Sequence, residues 1–307
     1  MKNLAPIVLF VYNRPWHTEK TLTALSENGL ASNSVLYIYA DGSKPNATDE
    51  QLEKINQVRN LIKSKLWCKE VHIVESDKNK GLANSIIDGV TKIVNQYGKI
   101  IVLEDDIYTS KGYLKYMNDA LDIYENEIKV AGVSGSNFDI NSKDNSFFLR
   151  QESSWGWATW KRAWDTIDFD IDSLIDAFDN QKLIQEFNAN NTYPFYQMLL
   201  NQKAGKVDSW AIRFYASNFL NGLLFLYPHY AMAYNIGTDE GTHYSGGEKV
   251  KIEKIKLLQN INIKKINIFV KKRNEKAYQN FHRENKRKSK IKSLKRILKS
   301  IYNKFKL

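Results

Sequence analysis

Cysteine occurs once in the 307 residues, at Cys68, which excludes a disulfide framework and any zinc site built from cysteine. A single thiol fits a reducing compartment. Proline is sparse, at five residues, and glycine numbers fifteen, far from collagen-like or low-complexity composition. Long hydrophobic runs are missing as well. The longest apolar stretch, Leu220 to Ile236, is interrupted by Asn221, Pro228 and His229, too broken for a transmembrane helix. After Lys2 and Asn3 the chain is apolar for one strand's length before Asn13 and Arg14, which is no signal-peptide pattern. These features set the expectation of a cytoplasmic protein, soluble or peripheral to a membrane. Neither a Gly-x-Gly-x-x-Gly loop nor a Walker-type Gly-Lys loop is present, which disfavours a dinucleotide dehydrogenase or a P-loop enzyme.

Hydrophobic residues make up 43% and charged residues 26%, an ordinary globular balance with length for one large α/β domain or two modest ones. The net charge of +11 is unevenly placed. Residues 271–307 hold fifteen Lys or Arg against Glu275 and Glu284, a local +13, so residues 1–270 carry −2. The excess positive charge reads as an appendage to a nearly neutral body, and a nucleic-acid partner for the body is disfavoured.

Short apolar runs alternate with amphipathic stretches from the start. Ile7–Tyr12 reads as a strand, and 18–28 as a helix with Leu22 and Leu25 on one face. Val35–Ala40 is a second strand, ending at Asp41-Gly42. A helix follows over 48–65, with Thr48 and Gln51 as a capping box. Val71–Val74 is a third strand, 82–96 a helix, and Ile100–Leu103 a fourth strand ending in Glu104-Asp105-Asp106. Continuous apolar strands alternating with helices predict a mostly parallel sheet covered on both faces. Beyond residue 130 come a strand at Val130–Ser134, a run at Phe147–Arg150, helices at 172–188 and 193–220, paired strands over 223–235 bent at Pro228, and a mobile loop at 237–247. A boundary near 135 divides one fused domain into a nucleotide-binding half (1–135) and an acceptor-binding half (136–250), followed by a basic extension (251–307).

Parallel sheets bind ligands at the carboxyl ends of their strands. Asn13 and Arg14, Asp41 and Gly42, and Asp105 and Asp106 all stand at such ends. A strand ending in adjacent carboxylates suits Mg²⁺ or Mn²⁺, which prefer oxygen ligands and often share them with substrate phosphates. Because side chains alternate as the strand ends, the three acids cannot all ligate one ion.

With Val11-Tyr-Asn-Arg-Pro15, Tyr39-Ala-Asp-Gly42 and Val102-Leu-Glu-Asp-Asp-Ile107, the chain resembles the nucleotide-sugar-dependent glycosyltransferases of the GT-A fold. The N-acetylglucosaminyltransferase I type is the nearest likeness, over roughly residues 5–245. The resemblance implies a Rossmann-like sheet holding a nucleoside-diphosphate sugar through Mn²⁺ or Mg²⁺. It makes Asp106 the direct metal ligand, with Asp105 near the ribose or donor sugar and Glu104 in support. It further implies that Asp41 accepts a hydrogen bond from the base, that Asn13 and Arg14 meet the nucleotide, and that Lys80, in Lys80-Gly-Leu-Ala-Asn84, belongs to a loop closing over it. Ser153-Ser-Trp-Gly-Trp157 resembles the family's Gly-Trp segment, which brings Trp157 to the donor pocket; on the residues alone, Trp155 and Trp157 fit core or pocket equally. Val207-Asp-Ser-Trp210 resembles the region holding the general base, which makes Asp208 the catalytic carboxylate, although the family has two adjacent acids there. His243 is a late-chain histidine implied as a metal or diphosphate contact. The implied reaction is inverting transfer of a hexosyl or N-acetylhexosaminyl group to a saccharide hydroxyl. A composition rich in Lys, Asn and Ile adds the expectation of a bacterial polysaccharide pathway with a lipid-linked acceptor.

From Lys290 onward, Ile291, Leu294, Ile297, Leu298, Ile301 and Phe305 share one helical face among lysines and arginines. Residues 290–307 are expected to lie on an anionic membrane as an interfacial helix, peripheral at the inner face, with a partner-binding helix as the alternative. Two other functional classes compete. A sugar nucleotidyltransferase uses a similar sheet and metal but carries a glycine-rich Arg/Lys loop where this chain reads Asn13-Arg-Pro-Trp16. A basic-tailed nucleic-acid-binding protein would interleave aromatics among its basic residues, whereas Tyr302 and Phe305 sit with the aliphatics.

Overall fold

The computed structural model describes residues 3–140, 142–237 and 250–304, and the side chains of all of these except 289, 290 and 292–304. The elements run β1 (Ile7–Val11), α1 (Pro15–Ser26), β2 (Val35–Ala40), α2 (Asp49–Lys63), β3 (Glu70–Glu75), α3 (Leu82–Tyr97), β4 (Lys99–Glu104), β5 (Ile107–Thr109), α4 (Tyr113–Ile123), β6 (Val130–Ser134), β7 (Ser146–Leu149) and β8 (Trp157–Trp160). After them come α5 (Lys161–Trp164), α6 (Ile171–Asp176), α7 (Gln181–Phe187), α8 (Phe195–Lys203), α9 (Trp210–Leu220), β9 (Leu224–Pro228), β10 (Ala233–Asn235) and α10 (Lys272–Lys304).

Eight strands form one sheet in the order β3-β2-β1-β4-β8-β6-β9-β7. The first four are parallel, β8 runs against both of its neighbours, β6 and β9 are parallel, and β7 runs against β9 on the edge. This is the α/β architecture that the apolar runs imply, a mostly parallel sheet between helical layers. Alternation along the strands divides the core. Ile7, Leu9 and Val11 of β1 join Leu36, Ile38, Ile101 and Leu103 on one face, against α1, α2 and α4. Val8, Phe10, Ile100 and Val102 face the other way, against Ile86 and Val90 of α3 and Trp210 and Phe214 of α9. A satellite cluster of Leu174, Phe178, Phe187, Leu199 and Tyr215 holds the second-half helices together.

The first half follows its sequence signals closely. Thr48 and Gln51 form the reciprocal capping box at the start of α2, and Pro15 opens α1. The second half departs from them. Each of its two expected long helices is two short ones, and α8 and α9 are separated at Gly205, whose φ of +66° suits glycine. β9 and β10 do not pair with each other; β9 lies between β6 and β7, while β10 pairs with β5 in a separate two-stranded ribbon. β8 inserts between β4 and β6, so one sheet spans both sides of residue 135.

The C-terminal region is not all appendage. Leu258, Ile261, Ile263, Ile266, Ile268 and Val270 pack along the first core, and Tyr278 of α10 is buried in the second. Lys271 and Arg273 both pair with Asp144. No helix among the described residues is long and apolar enough to cross a membrane. The expected apolar face of residues 290–307 lies outside the described side chains, apart from Ile291.

Candidate active site

Residue positions at the carboxyl ends of β1 and β4 converge because these strands are neighbours in register, Phe10 opposite Glu104. The chain leaves β1, bends at half-buried Asn13, and enters α1 with Arg14 as its N-cap. The chain leaves β4 through the Asp105-Asp106 turn into β5. Thr21 Oγ1 of α1 donates to the Asp105 carbonyl at 2.8 Å, and Ile236 N–H donates to the Asp106 carbonyl at 2.8 Å, so the turn is held from both sides. Arg14 then spans the two acids. Its Nε donates to Asp105 Oδ2 at 3.2 Å, its Nη2 pairs with Asp105 Oδ1, and its Nη1 lies 3.0 Å from Asp106 Oδ2.

This is a buried ionic cluster with more negative than positive charge. Burial acts to lower the basicity of the Arg14 guanidinium, but Asp105 and Asp106 outweigh it and hold the group above its usual range. Burial raises the Asp106 carboxyl, with Arg14 opposing. Burial, reinforced by Asp106 and Asp105, pushes Glu104 up to about 8. Glu152, in the segment between β7 and β8, is likewise pushed up to about 8 by burial, and its charge adds to those that raise Glu104.

Asp106 Oδ1 is buried without a hydrogen-bond partner. An orphaned carboxylate oxygen in a site of excess negative charge fits a hard divalent cation. Among the described residues, no group of three or more His, Cys, Asp or Glu side chains is placed to hold a metal. The donor set therefore suits an ion bound through one carboxylate and completed by a ligand's phosphates. His243 lies outside the described residues. Gly237 closes against this cluster: a Cβ there would overlap Asp106 Oδ2 and stand 2.8 Å from Arg14 Nη1, so only glycine fits.

Asp41, at the end of β2, does something other than wait for a base. Its Oδ1 accepts from Gly42 N–H at 2.8 Å and Lys80 N–H at 2.9 Å, while Oδ2 accepts from Asn79 Nδ2 at 3.0 Å and Gly81 N–H at 3.1 Å. Four donors occupy its acceptor sites, and together they pin residues 79–81 ahead of α3. Gly42 is required beside it, since a Cβ would lie 2.5 Å from the Lys78 carbonyl carbon. The Lys80 ammonium is exposed and 3.4 Å from Asp88. Gly81, with φ +78°, is the N-cap of α3, and a Cβ there would sit 3.9 Å from Asp208 Oδ2. Asp208 thus reaches the α3 N-terminus from the far half of the chain. Its carboxylate is exposed, with Arg213 Nη2 at 3.4 Å. Ser209, not Asp208, caps α9.

Trp157, which the resemblance brings to the donor pocket, lies in the core. It is buried in β8, stacked on Trp210 at 5.2 Å and Trp164 at 6.0 Å, and offers no ring face to a ligand. Two positions earlier, Trp155 is 38% exposed. Sequence reasoning missed Glu152 and Gly237. The sequence signal for the first is only an acid just ahead of the Ser153-Ser-Trp-Gly-Trp157 segment, and for the second a glycine directly after Ile236.

No family model and no curated protein matches the sequence. Among solved structures, TarS of S. aureus is similar at 14% identity and TM-score 0.39 over 76% of this chain and 37% of that one; a 1–349 form of TarS gives 13%, 0.40, 75% and 60%. The chain thus spans well under two thirds of the TarS length. Mouse xyloside xylosyltransferase 1 is similar at 10% identity and TM-score 0.35, over 72% of this chain and 83% of that one. A UDP-glucose pyrophosphorylase complexed with UDP-glucose is similar at 13% identity and TM-score 0.34, over 74% and 91%. Identities and TM-scores this low assign neither family nor activity to this chain.

Proposed function

We propose that the protein is a metal-dependent GT-A glycosyltransferase that moves a sugar from a nucleoside-diphosphate donor to a hydroxyl of a saccharide acceptor. The observation that carries this reading is the Arg14–Asp105–Asp106 cluster at the carboxyl ends of β1 and β4, with a buried, unpartnered Asp106 oxygen. Asp106 would hold Mn²⁺ or Mg²⁺ there, a cation that neutralises charge on a departing diphosphate. Arg14 offers a planar fork to phosphate oxygens. Asp41 fixes the turn at 79–81 and so shapes the edge beside the donor. Asp208, a solvent-reachable carboxylate at the α3 N-terminus, takes the proton of the acceptor hydroxyl, which makes direct, inverting displacement the mechanism.

The acceptor in this reading is a lipid-linked saccharide of bacterial polysaccharide assembly, met at an anionic membrane face through residues 290–307. The basic, periodic tail sequence supports that placement. The nucleotidyltransferase alternative shares the metal site but attacks phosphorus; Asn13-Arg14-Pro15-Trp16 in place of a glycine-rich basic loop speaks against it. The test is a panel of nucleotide sugars incubated with protein and Mn²⁺. One donor should be consumed slowly by wild type and not by Asp106→Ala, and no consumption of any donor would contradict the proposal.

A further inference from the structure

Three successive acids, Glu104 at the end of β4 and Asp105 and Asp106 in the turn after it, stand together, and Arg14 is shared between the last two. Its contacts are unequal. Asp105 receives two of the guanidinium's donors, Nε and Nη2, in the side-by-side geometry that holds a carboxylate best. Asp106 receives one, Nη1 at 3.0 Å to Oδ2, while its other oxygen stays buried and unpartnered. A Cβ at Gly237 would fall on this same Oδ2 and Nη1, so residue 237 leaves the pair no room for a side chain. A divalent cation on the Asp106 carboxylate would meet a positive guanidinium already in contact with it, in a site where burial weakens solvent screening.

Resting on the metal reading above, we propose that Arg14 Nη1 and the divalent cation are alternative partners of the Asp106 carboxylate. In the ligand-free protein Arg14 supplies the positive charge. It releases Asp106 and keeps Asp105 when metal and diphosphate arrive together, the diphosphate giving the freed donor a new anion. Metal alone therefore binds weakly, and metal and diphosphate strengthen each other reciprocally.

The test measures Mn²⁺ binding to the nucleotide-free full chain by loss of the free-ion paramagnetic resonance signal. Arg14→Gln should bind Mn²⁺ at least about tenfold more tightly than wild type, a coupling of ordinary size. Adding Asp106→Asn to that variant should abolish the gain. Mn²⁺ should also raise the melting temperature of Arg14→Gln and leave wild type nearly unchanged, because the ion replaces the lost guanidinium. Should Arg14→Gln fold poorly, Arg14→Lys keeps a charge that cannot span both carboxylates, and its affinity should fall between the two. Mn²⁺ binding by Arg14→Gln or Arg14→Lys no tighter than by wild type overturns the exchange while leaving the metal site standing. Absence of Mn²⁺ binding in every protein, with or without a nucleoside diphosphate, overturns the exchange and the metal reading together.

Discussion

At the scale of single residues, the proposed chemistry rests on groups whose surroundings leave them few other tasks. Asp208 is exposed and near the α3 N-terminus but caps nothing, which leaves its carboxylate available as a base. Asp208→Asn should keep donor binding and lower turnover by about 10²-fold or more, read by steady-state kinetics beside calorimetry. Asp41→Ala should act on the fold instead. It orphans the backbone donors of Gly42, Lys80 and Gly81 and takes one of two acceptors from Asn79 Nδ2, and thermal unfolding should show a loss of about 1–3 kcal/mol. Gly237→Ala forces a Cβ into a carboxylate already fixed by Arg14; it should cost about 1–3 kcal/mol in thermal unfolding and, by misplacing Asp106, weaken catalysis on the order of 10²-fold. Sequence pattern singled out Asp105 and Asp106 because an apolar strand ends just before them, and the structure places both against Arg14. The resemblance points to Trp157, which packs inward in β8, whereas the exposed indole is Trp155, two residues earlier and ahead of the strand.

At the scale of elements, local signals worked where an element's ends carry their own chemistry. The Thr48–Gln51 box set the start of α2, and continuous apolar runs located β1, β2 and β4 to within a residue or two. They failed where a partner from far along the chain decides. β8 is a strand because β4 and β6 flank it, and β5 because β10 pairs with it. Helix α10 belongs to this second kind: its first turns are anchored to the body by Tyr278, buried against Phe138 at a 4.8 Å centroid distance. Tyr278→Ala should cost about 3–5 kcal/mol in thermal unfolding, the range for a large buried aromatic. His282 lies among Phe138, Tyr193, Phe195 and Tyr278, and burial lowers its imidazole to about 4 from 6.5. A group held neutral in the fold takes its proton in the unfolded chain first, so its share of stability is intact above about 6.5 and is lost as pH falls toward 4. His282→Phe should flatten the decline of melting temperature across that window; an unchanged slope would place the titration elsewhere.

At the scale of the whole molecule, charge and chemistry are separated. The body carries −2 over residues 1–270 and its acidic cluster at one end of the sheet, while +13 lies in residues 271–307. The body is not drawn to an anionic surface by net charge. Deletion of 290–307 should abolish flotation with anionic liposomes and leave donor turnover in place, and added salt should weaken the binding of the full chain. Steep salt dependence on oligonucleotides, with no flotation, would assign the tail to nucleic acid.

If the Arg14–Asp105–Asp106 edge holds a glycosyltransferase donor as proposed, attack falls on a sugar carbon and not on phosphorus. Slow hydrolysis of the accepted nucleotide sugar in ¹⁸O-labelled water, with mass analysis of the products, separates the two. The account predicts unlabelled nucleoside diphosphate and label in the released sugar, dependent on Asp106; label in a phosphate, with release of sugar 1-phosphate, would contradict it.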